Sequence, residues 1–92
     1  MRELTRAEAK VCFKLYREGC FGSHWLLKDT AASGFPSHEL DAAKAAIDEL
    51  VRDGILREKP TQHGEGVFIN PKIKNELYER IREHDGFEWL PK

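Results

Sequence analysis

Apolar side chains recur at Leu40, Ala43, Ile47, Leu50 and Val51, the spacing of one helix face, and the pattern stops at Asp53-Gly54. Ile55-Leu56 follows at once, then Arg57-Glu58-Lys59, a polar loop containing Gly64 and Gly66, and Val67-Phe68-Ile69. This order predicts a helix that hands over directly to a two-stranded hairpin. Upstream, Thr5-Arg6-Ala7-Glu8 fits a capping box, in which the Thr side chain and the Glu three residues later satisfy each other's free amides, so a helix is predicted from Arg6 to about Glu18, ended by Gly19. Trp25 to Ala32 reads as a shorter helix stopped by Ser33-Gly34. Phe35-Pro36-Ser37 reads as a turn that delivers Ser37 as the N-cap of the long helix, which runs to about Arg52. Asn70-Pro71 starts a last helix marked by Ile73, Leu77 and Ile81 and reaching about Glu83, and Asp85 to Lys92 is a tail.

The chain has 92 residues with 40% hydrophobic content, enough for one modest core, so a single domain over 1–84 and a short tail over 85–92 are expected. Fifteen basic side chains against 16 acidic ones give a net charge of -1, and the total exerts no general pull toward polyanions. Any such attraction has to come from local patches. Cys12 and Cys20 do not make a disulfide framework, no charged segment followed by an apolar one opens the sequence, and no apolar run approaches the roughly 20 residues that cross a bilayer. A soluble cytoplasmic protein without membrane contact is the expectation.

Residues 25–70 resemble the winged helix-turn-helix superfamily. The resemblance rests on Trp25-Leu26-Leu27-Lys28-Asp29-Thr30-Ala31-Ala32-Ser33-Gly34-Phe35-Pro36 as second helix and turn, on the Leu40/Ala43/Ile47/Leu50 spacing as third helix, and on Asp53-Gly54-Ile55-Leu56 as the exit to the wing. With the flanking helices it covers about residues 5–83. It implies an α+β, mostly helical fold: a three-helix bundle, a two-stranded β wing and a C-terminal helix. It also implies that the third helix enters the major groove with its N-terminal half. Proteins that look like this include transcription regulators, replication factors and protein-interaction modules, so the fold does not fix the function.

The leading expectation is a small transcriptional regulator that binds double-stranded DNA mainly through phosphates. The candidate contacts are Lys28 on the second helix, Ser37, His38, Asp41 and Lys44 at the start of the third, Arg57, Lys59 and His63 on the wing, and Arg6 and Lys10 on the first. The outer face of the third helix carries His38, Asp41, Ala42, Ala45, Asp48, Glu49 and Arg52 and is net acidic, which opposes phosphate contact. The alternative is therefore a winged helix that binds protein, through the acidic third helix or the apolar arc of the first. On the first helix Arg6, Lys10, Lys14 and Arg17 fall within roughly a quarter of the circumference, a stripe suited to DNA phosphate or to an acidic partner.

The rest of the first helix carries Ala9, Val11, Cys12, Phe13, Leu15 and Tyr16 over roughly 200°, where a single core contact needs little more than about 100°. Phe13 and Tyr16, with Phe87, Trp89 and Leu90 of the tail, are therefore the expected interface of a homodimer. No paired Cys/His knuckle suggests a metal, no phosphate-cradling glycine loop suggests a cofactor, and no nucleophile with an oriented base suggests an enzyme.

Overall fold

The computed structural model describes residues 1–84. The elements are α1 (Arg6–Arg17), β1 (Leu26–Leu27), α2 (Lys28–Ala32), a 3₁₀ turn at Ser37–Glu39, α3 (Leu40–Arg52), β2 (Leu56–Thr61), β3 (Gly64–Ile69), a second 3₁₀ turn at Pro71–Ile73 and α4 (Lys74–Arg82). The fold is α+β, with one small antiparallel sheet of strand order β1-β3-β2. Its centre is a continuous cluster in which Val11 and Leu15 of α1, Ile47 and Leu50 of α3, Val67 and Ile69 of β3 and Leu77 and Ile81 of α4 are fully buried. Burial of each such side chain contributes about 1.5 to 3 kcal/mol. That cluster fixes where every surface element sits.

Several element boundaries follow from local chemistry. The Thr5 hydroxyl accepts from the Glu8 amide and the Glu8 carboxylate accepts from the Thr5 amide, the reciprocal capping box that starts α1. Asn70 accepts from the Lys72 amide and Pro71 follows, as expected for the last helix. At the end of α3, Gly54 takes a φ of 76°, which lets its own amide reach Val51 and the Ile55 amide reach Leu50. The chain thereby turns into β2 with the Glu49, Leu50 and Val51 carbonyls paired.

Other expectations are corrected. Leu26 and Leu27 do not belong to the second helix; they pair with Val67 and Gly66 as a third strand, because the sheet edge supplies backbone partners that a five-residue helix could not extend to. Ser37 is not a side-chain cap, since the backbone enters α3 through a 3₁₀ turn. The polar loop expected between Lys59 and Val67 is mostly strand: Lys59 pairs with Gly66 and Thr61 with Gly64, leaving only Gln62 and His63 at the tip. The apolar arc of α1 is spent inside the domain. Phe13 is buried, and Tyr16 stands edge-on to Phe21 at 5.3 Å and beside Tyr78 at 5.8 Å, so less of the α1 arc faces outward than its sequence pattern suggests. Phe87, Trp89 and Leu90 lie outside the described residues.

Candidate functional site

Two surfaces gather the candidate residues. The first is formed by α2, the start of α3 and the hairpin. Lys28 opens α2 and reaches Glu58 of β2 at 2.6 Å and Asp48 of α3 at 3.4 Å. The hydrogen bond to Glu58 raises the Lys28 ammonium above its ordinary range. Lys44 lies 3.5 Å from Asp29. Ser37, His38 and Asp41 are exposed at the entry to α3, and the nearest charge to His38 is Glu39 at 3.6 Å. Arg57 and Lys59 are exposed on β2 and His63 at the hairpin tip, and the Lys59 ammonium sits 3.9 Å from the centre of the Trp25 ring. The Trp25 indole in turn packs against Gly66. Each lysine of α2 and α3 on this face is thus held by a carboxylate.

The second surface is a groove of about 740 Å³ between α1 and the segment Ala31 to Glu39. Ala7, Phe13, Ala31 and Phe35 provide its apolar floor. Arg6, Lys10, Lys14 and Arg17 line it, and among the described residues Glu39 is the one carboxylate that does so. Lys10 stands 4.5 Å from the centre of the Phe35 ring and Arg17 5.5 Å from that of Phe13, so these cations lean on the floor by cation-π contact. Lys14 donates to the Thr30 carbonyl at 2.8 Å and to the Ser33 hydroxyl at 2.9 Å, which ties α1 to the end of α2 and holds the groove's two walls together. Among the described residues, no carboxylate lies within 4 Å of Lys10, Lys14 or Arg17.

No family model, curated protein or solved structure matches the chain.

The candidate cations therefore divide between two places. Arg6 and Lys10 face the α1 groove, whereas Lys28 and Lys44 sit among carboxylates and Arg57, Lys59 and His63 ride on the hairpin. Phe35 and Ala31 are functional candidates that the sequence pattern does not flag, because Phe35 reads as part of a turn and meets Lys10 only through tertiary packing. Among the described residues no cluster of His, Cys, Asp and Glu could hold a metal, and no helix is long and apolar enough to cross a membrane. Cys12 and Cys20 are buried, and burial pushes both thiols toward the neutral form.

Proposed function

We propose that this chain is a winged helix-turn-helix module whose ligand is another protein. The order α1, α2, α3, hairpin, α4 supports the fold assignment, with α2 and α3 as the helix pair and β2–β3 as the wing. The observation that carries the function is the pairing of Lys28 with Glu58 and Asp48 and of Lys44 with Asp29. A DNA-binding face has to bring net positive charge to the phosphates, since counterion release supplies most of the affinity. Here the cations of α2 and α3 are already neutralised, Lys28 and Lys44 as above and Arg52 by Glu49 at 3.2 Å, and Asp41 adds further negative charge to the outer face of α3. An α3 presented to the major groove would carry carboxylates toward phosphate.

A second reading keeps double-stranded DNA as the ligand, held through the wing. Its support is the exposure of Arg57, Lys59 and His63 on the hairpin. Fluorescence anisotropy with labelled random duplex, at low and at physiological salt, separates the two. The protein-binding reading expects at most weak, salt-labile association, with dissociation constants near the non-specific range of about 10⁻⁴ to 10⁻⁶ M at physiological salt. Saturable binding well below that range, abolished by Arg57→Glu with Lys59→Glu, would establish the DNA reading instead.

A further inference from the structure

We infer that the α1 groove is the docking site, and that its occupant is an acidic amphipathic helix of a partner protein. The inference rests on the reading of the chain as a protein-binding module and names the surface and the partner chemistry. Volume is the first argument. About 740 Å³ is far more than a side chain needs, and the α1 wall, 12 residues at about 1.5 Å each, offers roughly 18 Å of contact, the length of three turns of a partner helix.

Composition is the second argument. A floor of Phe35, Ala7 and Ala31, flanked by the side-chain stems of Lys10 and Lys14, takes apolar anchors, whereas a bare phosphate chain would gain nothing from it. Charge complementarity is the third. Lys10, Lys14 and Arg17 line the groove with no carboxylate of the described residues within ion-pair distance, while Lys28 and Lys44 on the other face are already paired. Like charges repeated at i, i+4 along α1 oppose each other by a few tenths of a kcal/mol per pair, and an incoming row of Asp and Glu would remove that repulsion. The ring contacts of Lys10 and Arg17 hold both cations low against the floor, with their donors free for carboxylates at the rim. A partner helix with Leu or Phe on one face and Asp or Glu flanking it satisfies floor and rim together.

The test uses the full chain and a fluorescein-labelled synthetic peptide of about 15 residues, long enough for marginal helicity, with Leu and Phe on one helical face and Asp and Glu beside them. A second peptide carries Asn and Gln in place of the acids, and duplex DNA serves as a polyanion without an apolar face. The acidic peptide is expected to bind at least about tenfold more tightly than its amide version, and Lys10→Glu with Arg17→Glu to weaken it about tenfold or more. Lys10→Gln with Arg17→Gln, a milder pair, is expected to weaken it in the same direction. Lys44→Glu with Lys59→Glu leaves it unchanged. Circular dichroism confirms that each variant is folded, and the milder pair decides the matter if the charge reversal does not fold.

Equal binding of the two peptides overturns the inference, as does unchanged affinity in both α1 variants. Duplex DNA that displaces the peptide from the groove overturns it by making the site one for phosphate. Self-association of the chain without peptide in sedimentation equilibrium, abolished by the α1 variants, overturns it in favour of a second copy. Peptide binding that survives the α1 changes but fails in variants of α3 moves the docking surface and leaves the protein-binding reading standing. Saturable duplex binding with no peptide binding removes both.

Discussion

Lys28 donates to Glu58 across 2.6 Å and so couples the first turn of α2 to strand β2, with Asp48 of α3 at 3.4 Å on the same ammonium. Neutralising its acidic neighbours frees it. The triple change Asp29→Asn, Asp48→Asn, Glu58→Gln should leave the fold intact, because all three side chains are at least a third exposed and surface pairs are worth about 0 to 1 kcal/mol each. It should also raise affinity for random duplex DNA at low salt by about tenfold, through the two lysines released. Anisotropy that does not change between wild type and the triple variant would show that these carboxylates are not what keeps DNA away.

Glu8 predicts an acid-dependent stability. Arg2 grips its carboxylate with two hydrogen bonds of 2.8 Å, the Thr5 amide adds a third, and the side chain is almost wholly buried. The Arg2 hydrogen bonds are the main cause that holds the carboxyl below its ordinary 4.5, ahead of the opposing effect of burial. Since the folded value lies below the unfolded one, the contribution is complete above about 4.5 and is lost as pH falls through the depressed folded value. Urea unfolding between pH 7 and pH 3 should show stability dropping below that point in the wild type. Glu8→Gln should be less stable at neutral pH by about 1 to 3 kcal/mol and show a shallower acid slope.

The two thiols should be silent. Cys12 is fully covered and Cys20 nearly so, and burial drives both toward the neutral thiol. Ellman's reagent at neutral pH should modify neither on the timescale of minutes in the native protein and both once urea unfolds it. Rapid reaction of one thiol in native conditions would mean that its end of the core opens.

Position 66 should tolerate no side chain without moving Trp25. A β-carbon there would lie 3.0 Å from Trp25 Cγ and 3.1 Å from Nε1, and closer still to Cδ1. Gly66→Ala must lift the indole off the strand and away from Lys59, at an expected loss of about 1 to 3 kcal/mol. Thermal unfolding gives the loss, and a red-shifted tryptophan emission reports the displaced ring.

Much of the fold was legible because its decisive signals are local. The Thr5/Glu8 box, the Asp53-Gly54 exit and the Asn70-Pro71 start are each written within four residues, and all three stand where the sequence pattern puts them. Strand β1 was not legible. Leu26 and Leu27 become extended only because β3 lies alongside, a partner some 40 positions away. The α1 stripe was visible as a row of cations, yet its floor was not, since Phe35 and Ala31 reach it from a turn and a neighbouring helix. The sequence also shows Lys28 and Lys44 as free positive charge. Only their packing against Asp48, Glu58 and Asp29 reveals them as neutralised.

The most direct measurement of the central claim is a titration of the ¹⁵N-labelled full chain with the acidic amphipathic peptide, followed residue by residue through its amide resonances. The account predicts saturable shifts for Ala7, Lys10, Lys14, Gly34 and Phe35 along the two walls of the groove, with Asp48, Arg57 and His63 left near their free positions. Shifts confined to the C-terminal half of α3 and the hairpin, or none at all at millimolar peptide, the upper end of measurable affinity at about 4 kcal/mol, would contradict it.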